Sequence, residues 1–544
     1  MRVPFLAHSL KFLVFYLPDK VFHPAMRPLF VLPACLLIFA CKPQESAPAR
    51  TAEDAPAHEA TEVTTAKPAE SPESAPDVKA SVVRINSTQQ TWNAWQPWEK
   101  NPPRKRRALA AIVGPQQVLT TSELAADATY LEFESADGTR FAPAKVIAVD
   151  YEANLVLLGP ASEAEGAKFF EGTIPLEITA PPKIGDSLEI LQVEDNGVSL
   201  LTAGNLLSID ITSNFLPSHS FLTYLVKASM QSAASSYSLP VLKDHKLAGV
   251  LISYNSKDQI CDVASTDIVA RFLKEASDGD YKGFPSLGVT IARTEDASFR
   301  QWLKLGDEQG GLYIRSVRKG GAANAAGVQK GDVLLAVDGQ AIDRRGYYQH
   351  PTYGSLSWGH LIRGEKSTGE TVKLSIFRDG KPIEISATLT RDEESTRLVP
   401  GHMFGKAPNY LVKGGLVFQE LTLPILEEFG EDWQSRAPLS LIDAYENPDK
   451  YEDKVKRMVF LSGVIPTPAT VGYEPLRNLI VRKVNGKDVV DMKSLIAAFE
   501  GETGELHSIE FADENLTVNL DDAVTNAVDS QLLQRGISRL SRTE

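Results

Sequence analysis

The chain has 544 residues, 43% of them hydrophobic, and a formal net charge of −14. That length suits roughly three domains with real cores, and the acidic balance excludes wholesale nucleic-acid binding. Of the three cysteines, Cys35 and Cys41 fall in the N-terminal segment, so Cys261 is left without a partner for an internal disulfide. No Cys/His spacing has the form of a metal site, and neither metal nor cofactor is expected.

Residues 1–41 read as a targeting segment. The apolar run Phe30 to Ala40 follows Met26-Arg27 and is too short for a comfortable membrane span. Met26 is an alternative start, since residues 1–25 add an apolar stretch that such a segment does not need. The run closes on Ile38-Phe39-Ala40-Cys41, which resembles a bacterial lipobox. That resemblance implies a lipidated Cys41 and a membrane anchor in the bacterial envelope, with the domains facing the periplasm. Lys42 stands where a retention aspartate could stand, which favours the outer membrane. Residues 42–78 are rich in Ala, Pro, Glu, Ser and Thr and carry no aromatic residue, so they predict a disordered tether.

Residues 79–278 predict an all-β domain. Short apolar runs such as Ser81-Val82-Val83-Arg84-Ile85, Ala144 to Val149, Leu188 to Leu191 and Leu247 to Ile252 are divided by Gly, Pro, Asp and Asn. The basic run Arg104-Lys105-Arg106-Arg107 reads as a solvated surface loop before a strand. Trp92, Trp95 and Trp98 read as a loop packing its own side chains onto the domain. Asp267 to Ala276 has a helical period and ends the domain.

Three strips in this domain carry a resemblance. They are Val118-Leu119-Thr120-Thr121-Ser122-Glu123-Leu124, Ala153-Asn154-Leu155-Val156-Leu157-Leu158 and Ser235-Ser236-Tyr237-Ser238-Leu239-Pro240. They resemble the catalytic strips of the HtrA/Deg serine proteases, which read V-L-T-N-x-H-V, C-D-I/L-A-L-L and G-N-S-G-G-P. The resemblance implies a trypsin-like double β-barrel, with Glu123 at the base position, Asn154 at the acid and Tyr237 at the nucleophile. Those residues cannot run the chemistry as it stands. A serine needs an imidazole to take its proton and a carboxylate to orient the imidazole. Glutamate, with an ordinary pKa near 4.3, is a poor base at neutral pH. None of the nine histidines lies between residues 59 and 218. The rival reading is an active serine endopeptidase in which Ser235, Ser236 or Ser238 attacks, with His219 or His245 as base.

Residues 283–393 contain Gly311 to Val317, Gly320 to Val328 and Lys330-Gly331-Asp332-Val333-Leu334, ending in Asp338-Gly339. This resembles the PDZ domain of HtrA-type proteins. A PDZ domain adds an extended peptide to a sheet edge and meets its carboxylate with backbone N–H groups. The resemblance places that loop at Ser286-Leu287-Gly288-Val289, with Leu287, Gly288 and Val289 in the binding set. The facing helix is expected to contain Leu356, Trp358, His360, Leu361 and Ile362, with His360 and Leu361 on the peptide.

Residues 405–525 hold Val459 to Ile465, a Val484-Asn485-Gly486 hairpin and a helical run from Val490 to Phe499. They resemble the second, divergent PDZ-like domain of two-PDZ Deg proteins, interrupted by an insertion from Pro424 to Lys456. Residues 526–544 read as a C-terminal tail. The whole predicts a mainly β, non-catalytic lipoprotein that binds protein C-termini or unfolded polypeptides as an adaptor or chaperone-like scaffold. The family resemblance also implies a trimer-based homo-oligomer; a purely structural oligomer is the third reading.

Overall fold

Apolar residues on alternate positions of short strands close two barrels. The structure, a computed structural model, describes residues 78–543 apart from 196, 218, 231–236, 278, 502–503 and 513–515. Cys41, the targeting segment and the tether lie outside the described residues, as do Ser235 and Ser236. The first barrel holds β1 (Val82–Gln89), β2 (Arg104–Gly114), β3 (Gln117–Thr120), β4 (Ala128–Ser135), β5 (Phe141–Asp150) and β6 (Leu155–Pro160), closed in the order β1-β2-β3-β6-β5-β4. Ile85, Ile112, Phe133 and Val156 fill it and are fully buried. Each contributes about 1.5–3 kcal/mol by leaving water. The short helix α1 (Glu163–Phe169) follows, and Phe169 stacks on Phe133 at 5.7 Å.

The second barrel holds β7 (Ser187–Val193), β8 (Ser199–Ser213), β9 (Ser220–Ala228), β10 (Pro240–Lys243), β11 (Lys246–Asn255) and β12 (Ile260–Ser265), closed as β10-β11-β12-β9-β8-β7. Helix α2 (Thr266–Ser277) ends the domain. Cys261 is a buried thiol in the core, and burial pushes its pKa up to about 12.

The next domain is built on β13 (Val289–Ala292), β14 (Leu312–Val317), β15 (Val333–Val337), β16 (Gln340–Ala341), the hairpin β17 (Tyr347–His350) and β18 (Gly354–Ser357), then β19 (Thr371–Arg378) and β20 (Lys381–Thr388). Its sheet runs β13-β14-β15-β19-β20, so β13 is an edge. Its helices are α3 (Ala297–Leu303), α4 (Ala322–Ala325) and α5 (His360–Arg363). Asp338 and Gly339 both have positive φ, 46° and 80°, which is the hairpin turn their sequence demands. The facing helix is shorter than expected: Leu356 lies in β18, and Trp358 precedes α5. The Pro351-Thr352-Tyr353-Gly354 turn favours a hairpin there, and glycines at 359 and 364 confine the helix to one turn.

The last domain has β21 (Tyr410–Lys413), β22 (Leu416–Glu420), β23 (Val459–Val464), β24 (Leu479–Val484), β25 (Lys487–Asp488), β26 (Leu506–Phe511), β27 (Thr517–Asp521) and β28 (Ser541–Arg542). The insertion folds as α6 (Leu423–Glu427), α7 (Trp433–Arg436) and α8 (Leu439–Glu446); α9 (Met492–Glu500) and α10 (Asp522–Gln534) follow. Asp491 caps α9 by accepting the Ser494 N–H at 2.8 Å. Residues 526–544 are not a free tail. Most of α10 lies there, Val528 and Leu532 pack under β21 and β22, and β28 pairs with β21. The polar faces of α10 hide that packing from a sequence reading.

The three tryptophans also differ from expectation. Trp98 meets Tyr410 at 6.2 Å, Trp95 meets Phe429 at 5.8 Å, and the Arg542 guanidinium lies 4.2 Å over Trp92. The loop packs against the last domain, which supplies Tyr410, Phe429 and Arg542, while Lys100 of the loop itself also lies over Trp92 at 5.0 Å.

Candidate functional site

Strand register brings the three aligned positions into one hydrogen-bonded cluster between the barrels. Glu123 stands on the short turn after β3, Asn154 on the β5–β6 turn, and Tyr237 just before β10. The run Arg104 to Arg107 is not a loop. It is the start of β2, and it lines a cleft of about 720 Å³ together with Arg84, Tyr237 and Leu239. Arg106 Nη2 donates to Glu123 Oε2 at 2.8 Å, and its Nε donates to the Tyr237 hydroxyl at 3.1 Å. Its guanidinium carbon sits 4.6 Å from the Tyr237 ring centre. Burial works against the Arg106 charge, yet Tyr237 and Glu123 together hold its pKa above the usual arginine value. Burial likewise raises the Tyr237 phenol, with Arg106 opposing it.

Asn154 completes the cluster. Its amide donates to Glu123 Oε1 at 3.4 Å, and its Oδ1 accepts from the Glu123 N–H at 3.3 Å and the Ser122 hydroxyl at 3.1 Å. It is buried with φ of 54°, a conformation that Asn tolerates better than most residues. The aligned positions therefore hold an ion pair capped by an amide. Arg106 saturates the carboxylate that would have to act as base.

The hydroxyl of Ser238 is committed to Thr120 Oγ1, with which it is in hydrogen-bond contact, and it accepts the Thr121 N–H at 3.1 Å. Neither partner is an imidazole. His219 is buried elsewhere, with Nδ1 3.1 Å from Glu152 Oε2 and 2.9 Å from Arg363 Nη1. Burial pushes Glu152 up, but the His219 hydrogen bond and the Arg363 charge outweigh it and hold its carboxyl well below the usual range. His245 is exposed at the β10–β11 turn. Among the described residues no serine hydroxyl is bonded to a histidine.

The second site is the edge of β13. Gly288 has φ of 73°, Leu287 is buried, and Val289 opens the strand. The Gly288 carbonyl accepts the Arg318 N–H at 2.8 Å, which fixes the loop to the end of β14. His360 and Leu361 are almost fully buried. Burial first, then the charges of His350 and Arg271, lower His360 to about 4, so it is neutral at pH 7. Arg363, on the same short helix, reaches back to Glu152 and His219 and lies 5.5 Å over Phe221, so α5 is clamped to the barrels.

One cluster has no sequence signature. His350, His360 and Glu365 bring one donor atom each within 4.8 Å of one another. His350 Nδ1 accepts N–H bonds from Thr352 and Tyr353, both at 3.1 Å. The ring hydrogen then sits on Nε2 facing Glu365, which also accepts the Tyr348 hydroxyl at 3.1 Å. His350 Nδ1 is thus taken by two N–H groups and Glu365 Oε1 by a phenol, so these two atoms are already engaged within the protein.

The fold and the cleft together define a trypsin-fold protein that carries two PDZ domains. Two stretches match the PDZ domain family, residues 285–389 and residues 399–539. Over 423 residues the chain is 26% identical to Protease Do-like 4, mitochondrial, of Arabidopsis thaliana, covering 77% of this chain and 76% of that protein. Over 444 residues it is 25% identical to Protease Do-like 2, chloroplastic, of the same plant, covering 80% of this chain and 70% of that one. Among solved structures, the HtrA-type protease AlgW with decapeptide aligns over 58% of this chain and 97% of its own at 17% identity and a TM-score of 0.43. The chain carries two PDZ domains and is similar over most of its length to Do-like proteases of the HtrA/Deg type.

Arg106 is the residue that sequence reading missed at this site. Its signal was faint: within the run it is the half-buried residue between exposed Lys105 and Arg107.

Proposed function

We propose that this chain is a non-catalytic HtrA/Deg-type envelope lipoprotein. It binds polypeptide at the β13 edge of its first PDZ domain and serves as an adaptor or chaperone-like scaffold. The observation that carries the reading is the Arg106–Glu123–Asn154–Tyr237 cluster standing where the base, acid and nucleophile align. Function has to be argued from the site, and this site holds no proton relay among the described residues. A lipid on Cys41 would hold the domains at the membrane, with the segment before residue 79 as tether. Self-association in trimers completes the proposal.

The test is turnover of casein by the purified chain, with a fluorophosphonate labelling lane. No cleavage and no label are expected. Cleavage with labelling that alanine at Ser235, Ser236 or Ser238 abolishes would establish a serine endopeptidase instead.

A further inference from the structure

A PDZ loop that captures a chain terminus needs its backbone N–H groups free to meet a carboxylate. In this chain the central N–H of that loop is already used. Gly288 N–H donates to Ser286 Oγ at 3.1 Å, and that hydroxyl donates onward to Asp392 Oδ2 at 3.0 Å. Asp392 is itself an internal carboxylate, held by ion pairs with Arg318 at 2.9 Å and Arg397 at 3.7 Å. Its side chain is only 11% exposed. It stands close to the loop, since a Cβ added to Gly288 would lie 3.8 Å from Asp392 Oδ1. The Ser286 N–H also bonds Thr390 O at 2.8 Å, which locks the segment carrying Asp392 beside the loop. The nearby cations are therefore neutralised by the chain's own carboxylate, and a second one would meet like charge and a satisfied donor.

The edge of β13 remains available for main-chain pairing. Beyond Arg318 the surface does not close. A polar cavity of about 500 Å³ opens there, lined by Arg318, Lys319, Thr396, Lys456 and Lys493. A strand that runs past Gly288 has somewhere to go.

We propose that the first PDZ domain takes internal extended segments of polypeptide and does not select free C-termini, because Ser286 and Asp392 occupy the carboxylate position. This rests on the reading of β13 as a peptide-adding edge. It narrows the partner to unfolded or looped chain whose terminus lies elsewhere, paired in extended form along the β13 edge with its side chains on alternate faces.

The test uses the full chain and one short fluorescein-labelled peptide, apolar at alternate positions and ending in valine. The peptide is made with a free carboxylate, with a C-terminal amide, and with a polar extension beyond the valine. Anisotropy should give affinities for the three forms within about threefold of each other, well short of the tenfold that 1.4 kcal/mol represents. Asp392→Asn should tighten the carboxylate form by about tenfold and leave the amide form unchanged. A natural chain that binds the carboxylate form about tenfold more tightly than the amide overturns the inference while leaving peptide binding intact. Failure of all three forms to bind, to the natural chain and to Asp392→Asn alike, removes the underlying reading of β13 and this inference with it.

Discussion

Arg106 occupies the third position of a run that reads as surface charge, and its guanidinium ends between a carboxylate and a phenol from different barrels. Arg106→Ala leaves both partners without their donor. Because the arginine side chain is 34% exposed, the expected loss of stability is modest, about 1 kcal/mol. Urea denaturation should show it as a lower midpoint with unchanged slope. The same residue bears on any attempt to restore catalysis. With Glu123→His, Asn154→Asp and Tyr237→Ser in place, Arg106 would still sit beside the new imidazole and disfavour its protonated form. Fluorophosphonate labelling of that triple variant should rise when Arg106→Leu is added; equal labelling would show that the arginine does not obstruct. The strips around Glu123, Asn154 and Tyr237 could be aligned because apolar strand runs fix their register, and register decides which turn residues meet. Arg106 and Asp392 escaped notice for the opposite reason. Each acts through partners far along the chain, 131 residues away for Tyr237 and 106 for Ser286, and charge in a sequence carries no direction.

At the scale of elements, α5 is one turn long and depends on its neighbours. The His360 ring lies over Gly364, where an added Cβ would come within 1.9 Å of Nδ1. Gly364→Ala should therefore displace the ring and destabilise the domain by about 1–3 kcal/mol, visible as a lowered thermal midpoint. The clamp from α5 to the barrels has a pH signature. Glu152 titrates below its unfolded value of 4.5, so its contribution is complete above that value and is lost as pH falls through the lower folded value. Glu152→Gln should cost about 3 kcal/mol at pH 7. The gap between it and the natural chain should close as pH drops below about 4.5, followed by chemical denaturation. A gap that stays constant with pH would assign the effect to packing. Neither contact was legible beforehand, because a four-residue helix has too few positions to show a period. The strands and the Asp338-Gly339 turn were legible, because alternation and turn chemistry are local.

Across the whole folded part, the last domain returns to the first barrel. Phe404 lies tilted against Tyr151 at 4.4 Å and stacks on Phe215 of the second barrel at 5.3 Å, and Gly405 N–H bonds Asp127 at 2.8 Å. Gln419 reaches the Ala94 carbonyl at 3.0 Å. With these contacts and the α5 clamp, residues 391–408 should resist trypsin and thermolysin in the natural chain. Phe404→Ala should open that connection to cleavage well before the barrels are cut. Simultaneous digestion of linker and barrels would show that the docking adds nothing. This long-range packing was the least legible part of the fold, since an aromatic cluster names no partner.

The return of the last domain to the tryptophan loop also sets a clock on refolding. Contacts between residues 325 and 445 positions apart close very large loops, so they form after each domain has its own core. Docking of preformed domains takes milliseconds to minutes. Trp92, Trp95 and Trp98, half of the six tryptophans, sit at that seam. Their fluorescence will therefore lag behind the far-ultraviolet signal during refolding, and the last event the chain completes is the one its own indoles report.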